Sequence, residues 1–107
     1  MRRIIDRIRE KVRSGHYVLT FHAIDEMTEE GFEEEDFEQA IMTGRIVRRQ
    51  KDRLGRRKYT AEGAALDRRP LRAVCRFSDT GDSLVIITIY EATQEGYGGY
   101  IYGGRSL

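Results

Sequence analysis

His22 is the side chain best suited to proton transfer, because an imidazole titrates near neutral pH. It stands between the extended segment YVLTF and the start of a helical pattern. The same position suits a structural role, in which a neutral ring caps the helix, and the residues alone leave both roles open.

Metal and cofactor chemistry have little support in the sequence. His16 is the only other histidine, and the two lie too far from further soft ligands to predict a metal pair. No phosphate-binding glycine loop, dinucleotide fingerprint or Ser-His-Asp signature occurs, so no cofactor is expected.

Cys75 has no cysteine partner, which predicts a buried reduced thiol in a cytoplasmic protein. No apolar run approaches the ~20 residues of a membrane span.

Acidic and basic side chains occupy separate segments, although the formal net charge is only +1. Residues 25–38 hold nine acids and no base, and residues 45–58 hold eight bases and one acid, Asp52. A compact basic surface attracts phosphate backbones by counterion release. The basic segment therefore predicts nucleic-acid contacts at Arg45, Arg48, Arg49, Lys51, Arg53 and Arg56.

Both charged segments also have simpler interpretations. A basic hairpin often only protects a sheet edge against aggregation, and glutamates in a first helical turn favour the helix dipole. The acids exceed what capping requires, so we expect a protein interface at Glu33, Glu34 and Glu35. The basic face of the first helix is expected to be a solvated surface, and the alternative is that it extends the basic surface of residues 45–58.

The hydrophobic pattern predicts helices first and a sheet second. Apolar residues at helical spacing, followed by glycines, predict helices at 2–14, 22–31 and 32–44. Strand patterns separated by turn residues occur at 45–50, 56–63, 71–78 and 83–92. The expected fold is a single α+β domain over 1–107, with N-terminal helices packed on a four- or five-stranded, mainly antiparallel sheet. The Gly/Tyr-rich tail at 95–107 is a flexible end or a short edge strand.

Several stretches resemble a family of small bacterial domains of unknown function with the signature His-Ala-x-x-Arg-Met-x-x-Arg-Gly-Ile. They are FHAIDEMTEEGFEEEDFEQAIMTGRIV, RRPLRAVCRF and VIITIYEA. That family is similar to RelE-like and barnase-like toxin ribonucleases, whose helices pack on an antiparallel sheet. The resemblance implies a toxin-antitoxin setting, with RNA as the target, a cognate antitoxin as a partner, and a metal-independent endoribonuclease activity.

The resemblance also implies catalytic roles. Attack of a ribose 2′-hydroxyl on the adjacent phosphate needs a base, an acid and nearby cations. His22 or Glu26 would transfer protons, and Arg57 and Lys58 would stabilise the charge on the phosphorane. Tyr90 would position a base or donate a proton, and Tyr59 would stack on a base of the RNA. Both tyrosines also fit as ordinary strand residues. Glu26 and Glu30 stand where the signature has arginine. That charge reversal supports the alternative of a catalytically inactive module of the same fold that binds nucleic acid or protein.

Overall fold

The computed structural model describes residues 2–92, which form three helices and five strands. In chain order these are α1 (Ile4–Arg13), β1 (Tyr17–Leu19), α2 (Phe21–Glu30), α3 (Glu34–Thr43), β2 (Arg45–Lys51), β3 (Arg57–Ala64), β4 (Pro70–Phe77) and β5 (Leu84–Glu91). The tail at 95–107, predicted to be a flexible end or an edge strand, lies outside the described residues. Within them, no helix has the length and apolar character needed to cross a membrane.

The five strands form one mixed sheet in the order β1-β5-β4-β3-β2. β1 runs parallel to β5, and the other three neighbouring pairs are antiparallel. The short segment before α2 thus becomes one edge of the sheet, and the basic strand β2 becomes the other. The predicted α+β class, with N-terminal helices packed on a mainly antiparallel sheet, is confirmed.

Each helix buries one apolar stripe. The stripes are Ile5, Ile8 and Val12 of α1, Ala23 and Met27 of α2, and Phe37, Ala40 and Ile41 of α3. Ile24, which the pattern also places inward, is 39% exposed. Successive helical positions differ by about 100°, so the stripe that buries its neighbour Ala23 turns Ile24 outward.

The two faces of the sheet differ in chemistry, because laterally paired residues point to the same side. The core face meets the helices and carries Ala61, Leu71, Ala73, Cys75, Leu84, Ile86 and Ile89. The other face, called here the polar face, carries Arg45, Arg48, Lys58, Thr60, Glu62, Arg72, Val74, Arg76, Thr88 and Tyr90. The hydrophobic core therefore lies on one side of the sheet only.

The apolar run of β5 predicts a strand covered on both faces, and the structure differs. Leu84, Ile86 and Ile89 are buried, whereas Val85 and Ile87 are only half-buried. A register shift opposite the Val74/Cys75 step leaves Ile87 as an extra residue in the ladder. This bulge interrupts the alternation of side chains between the two faces of the sheet. The continuous apolar run of β5 is therefore not evidence that both of its faces are buried.

Cys75 occupies the centre of the core face and is fully buried, as predicted. Burial raises the pKa of its thiol to about 12. The thiolate, which is the nucleophilic form of cysteine, is therefore scarce at neutral pH. Cys75 acts as a small apolar residue in the packing between strands and helices.

Two glycines let α3 and β3 meet backbone to backbone. A Cβ at Gly63 would lie 1.9 Å from the carbonyl oxygen of Ala40, and a Cβ at Gly44 would lie 2.4 Å from that of Glu62. No side chain fits at either position, so close approach rather than unusual backbone torsion requires glycine there. The contact seats the end of α3 on the core face and fixes where β2 begins.

Gly63→Ala should lower the free energy of unfolding by about 2–3 kcal/mol, because the added methyl forces α3 away from β3. The control is Gly55→Ala in the β2–β3 turn, where φ is +79° and no atom lies within 4 Å of the added Cβ. Backbone strain alone should cost about 1 kcal/mol there. Urea denaturation of both variants measures the difference, and equal losses would contradict the close-approach explanation.

Candidate nucleic-acid interface

The single acid of the basic segment builds the β2–β3 turn. One carboxylate oxygen of Asp52 accepts hydrogen bonds from the backbone N–H groups of Leu54 and Arg56, each at 2.9 Å. The other oxygen accepts from the Arg56 guanidinium at 2.7 Å. The backbone N–H of Arg56 is the main cause that lowers the pKa of Asp52. Arg56, a predicted RNA contact, is therefore already paired, while Arg53 at the same turn is exposed.

The β2–β3 pairing divides the remaining predicted cations between two sides of the sheet. Arg45, Arg48 and Lys58 belong to the polar face, and Arg49, Lys51 and Arg57 point to the side of the core. Within residues 2–92 none of these six forms an ion pair. The predicted basic hairpin is thus two basic surfaces that share one strand pair.

Arg72 and Arg76 of β4 extend the cations of the polar face toward β5. Arg72 donates to Glu62 at 2.8 Å and also hydrogen bonds with Tyr90. Burial lowers the pKa of Arg72, but the bonds to Glu62 and Tyr90 outweigh it and the net shift is upward. Neither arginine was assigned a binding role from the sequence. The signal was present, because the alternation of LRAVCRF already places both on the face opposite the core.

His22 and Glu26 lie where α2 passes along β5. The Nε2 atom of His22 is 3.3 Å from a carboxylate oxygen of Glu26, and the imidazole side chain is 65% exposed. The same oxygen of Glu26 accepts hydrogen bonds from the Thr88 hydroxyl and from the Ile89 N–H. Helix capping, the structural role considered for His22, is carried out by Thr20, whose hydroxyl accepts from Ala23 N–H at 3.0 Å.

The two glutamates at the signature arginine positions both face β5. Glu26 binds the Ile89 N–H beyond the point where β1 stops pairing with β5. Burial is the main cause that raises the pKa of Glu30, and the nearby Glu91 carboxylate adds to it. Arg69 adds a further contact at the end of α2 by donating a hydrogen bond to the Glu30 carbonyl oxygen at 2.7 Å. In this chain both positions brace α2 against the sheet.

The structure groups some of the predicted catalytic residues and separates others. His22, Glu26 and Tyr90 lie on or beside the second half of β5. Arg57 and Lys58 lie on β3, two strand spacings away, which corresponds to about 10 Å across the sheet. The cation that accompanies Tyr90 is instead Arg72.

The aromatic residue predicted to stack on a base is covered. Tyr59 is 6% exposed, packs against Phe77 with ring centroids 6.4 Å apart, and has the Arg49 guanidinium 5.9 Å from its ring. Phe21, which the sequence reasoning missed, is 88% exposed and directly precedes His22. The sequence pattern could have indicated its exposure, because Phe21 lies outside the buried stripe of α2 that contains Ala23. An exposed phenylalanine ring offers the stacking surface that Tyr59 does not.

The proposed partner-binding glutamates divide between folding and free surface. Glu33 forms a capping box with Asp36 at the start of α3. Glu34 accepts a hydrogen bond from the Tyr17 hydroxyl, and burial followed by this bond raises the tyrosine pKa. Glu35 is exposed and makes no hydrogen bond within the described part of the chain. Only Glu35 of the three is left entirely for a partner.

Comparison with known proteins gives one match. Residues 19–91 fit a family described as "Domain of unknown function (DUF4258)", a range that runs from the last residue of β1 to the last of β5. No curated protein and no solved structure matches the chain. Among residues 2–92, no cluster of three or more His, Cys, Asp or Glu side chains is arranged to hold a metal ion.

Glu26→Ala should lower the free energy of unfolding by about 1–3 kcal/mol, because the Ile89 N–H and the Thr88 hydroxyl lose their acceptor. Glu29→Ala, at an exposed position three residues further along the same helix, should change it by less than about 0.5 kcal/mol. Urea denaturation measures both. A Glu26→Ala variant as stable as Glu29→Ala would show that this carboxylate does not hold α2 to β5.

Proposed function

The chain belongs to the DUF4258 family of domains of unknown function, and we propose that it is an RNA-binding protein whose polar face receives a single-stranded RNA. One observation carries the proposal. The strands of the polar face hold five cations and one carboxylate, Glu62, and the cations are Arg45, Arg48, Lys58, Arg72 and Arg76. This excess of positive charge on one side of the sheet suits a phosphate backbone.

The rest of the protein surface also supports RNA binding on the polar face. Acidic side chains lie on α2 and α3, so the surface formed by these two helices repels a polyanion. The hydroxyl group of Tyr90 on the polar face supplies a hydrogen-bonding group beside the cations. Sheet faces bind single-stranded RNA through aromatic rings that stack on bases, and Tyr90 provides an aromatic ring on the polar face. The resemblance to RelE-like and barnase-like ribonucleases favours RNA over DNA.

Charge-removing substitutions on the polar face should weaken RNA binding and its salt dependence. Arg48→Gln and Lys58→Gln should each lower the slope of log K against log salt concentration by about 1, since each removes one phosphate contact. Arg68→Gln in the β3–β4 turn is the matched control, because it removes one exposed arginine that forms no ion pair within residues 2–92. If the salt slopes of all three variants equal that of the wild-type protein, the polar face does not bind the RNA.

RNA cleavage is the second candidate function, favoured by the exposed imidazole of His22 beside Glu26. If Nε2–H donates to Glu26, the tautomer is set and Nδ1 becomes the basic nitrogen. Nδ1 then takes the proton of a ribose 2′-hydroxyl, and the 2′-oxygen forms a bond to phosphorus. The bond from phosphorus to the 5′-oxygen breaks, and Tyr90 is the candidate that protonates the leaving oxygen.

The surrounding side chains suit this reaction. Arg72 lies beside Tyr90 and would stabilise charge on the phosphorane, a role that the sequence had given to Arg57 and Lys58. The exposed ring of Phe21 would hold a neighbouring base by stacking. The protein would then be toxin-like, and the acidic surface around Glu35 would face an antitoxin. Without cleavage, the same polar face describes a catalytically inactive binding module.

His22→Ala should slow RNA cleavage by about 100-fold or more while RNA affinity changes little, because cations supply the affinity. His16→Ala is the matched control, since the ring of this second histidine is exposed and is hydrogen bonded only to Ser14 within the described chain. Cleavage of a labelled single-stranded RNA and growth on induced expression are the measurements. A wild-type protein that binds RNA but neither cuts it nor slows growth would establish the binding module instead.

A further inference from the structure

A groove between α1 and β2 is lined by arginines from both elements. Its volume is about 810 Å³, and its walls carry Arg2, Arg3, Arg7, Arg9, Arg45 and Arg49. Arg45 is the first residue of β2 and borders both this groove and the polar face. Its floor is apolar and includes Ile4, Ile5 and Ile46. The basic face of α1, expected to be a solvated surface, therefore joins the cations of β2 across an apolar floor.

Arg9 fixes the width of this groove. Its guanidinium donates to the carbonyl oxygen of Ile41 at 3.1 Å and to that of Gly44 at 2.7 Å. These carbonyls lie where α3 ends and β2 begins, so Arg9 ties α1 to that junction. The two walls are held together by the fold and do not depend on a ligand to form.

The charges of the groove are only partly neutralised. Arg2 pairs with Glu10 at 2.6 Å, and Arg3 pairs with Asp6 at 3.0 Å. Arg7, Arg45 and Arg49 form no ion pair within residues 2–92. Six arginines thus face two carboxylates, which leaves a strong excess of positive charge above an apolar floor, where screening by water is reduced.

Alternating guanidinium groups and aromatic rings connect the two walls. The Arg7 guanidinium carbon lies 4.3 Å from the centroid of Phe77, and Phe77 packs edge-on against Tyr59. On the far side of Tyr59, Arg49 is 5.9 Å from the ring centroid. Cation–π contacts of this kind orient the guanidinium planes and leave their N–H edges for other acceptors. Arg49 also borders a second cavity of about 300 Å³ with Lys51 and Arg57, so the cations continue along β2.

We propose that this groove binds a second stretch of the RNA sugar-phosphate backbone, so that the RNA bends round the edge strand β2. The inference rests on the proposed function, because the polar face on the other side of β2 receives the first stretch. Arg48 and Arg49 are neighbours that serve opposite sides of this strand. Arginine matches phosphate through paired N–H donors. Arg2, Arg3, Arg7 and Arg9 precede residue 19, so the groove uses residues outside the matched family range.

The test compares Arg48→Gln with Arg49→Gln, which remove one charge from opposite sides of the same strand. Each variant is titrated with single-stranded RNAs of about 4 and about 12 nucleotides, lengths at the lower and middle part of known site sizes. Arg48→Gln should weaken both RNAs. Arg49→Gln should leave the affinity for the short RNA unchanged and lower the affinity for the long RNA several-fold. It should also lower the slope of log K against log salt concentration for the long RNA by about 1.

Arg7→Gln provides a second variant on the opposite wall and should reproduce the Arg49→Gln result. If Arg49→Gln and Arg7→Gln leave the long RNA unaffected while Arg48→Gln weakens it, the groove proposal fails and the polar face stands. The reverse result overturns the polar face as an RNA site, and with it the proposed bend of the RNA round β2. Inorganic tripolyphosphate is titrated in parallel, and tighter binding of it than of the long RNA would overturn RNA as the ligand.

Discussion

The close approach of α3 to β3 at Gly63 and Gly44 is the constraint on which the arrangement of charges depends. Because no side chain separates the two backbones, the end of α3 lies directly on the core face and β2 must start beside it. The same junction presents the carbonyls of Ile41 and Gly44 to Arg9, which places α1 next to β2. One backbone contact therefore brings the basic helix and the basic strand together.

The opposite charges of the chain serve different purposes. Much of the acidic segment is used inside the fold, since Asp36 is buried and accepts from Leu66 N–H while Glu26 satisfies a backbone donor of β5. The cations of β2 and β3 make few such internal bonds among residues 2–92. Charged groups that make hydrogen bonds inside the helical layer cannot bind a partner without loss of folding stability. Charged groups without internal hydrogen bonds are available to bind one. This asymmetry supports polyanion binding over binding of a basic partner.

The second half of β5 combines structural and chemical roles in the same side chains. Glu26 takes the place that a longer β1 would have filled, and it is also the carboxylate nearest to the His22 imidazole. A carboxylate whose position is fixed by Thr88 and Ile89 is suited to orient an imidazole, because it loses little freedom when it does so. The charge reversal at this position is thus compatible with binding alone and with cleavage.

The sequence by itself determined the helices, four of the five described strands, the α+β class and the buried thiol, because each follows from local periodicity or from composition. Even the turn at Asp52 is encoded within a few residues. Only the tertiary structure decided that Tyr59 is covered while Phe21 is exposed, that Arg48 and Arg49 serve different surfaces, and that α1 lies against β2. Those outcomes depend on strand register, a bulge and helix packing, which are set by contacts between residues far apart in the chain.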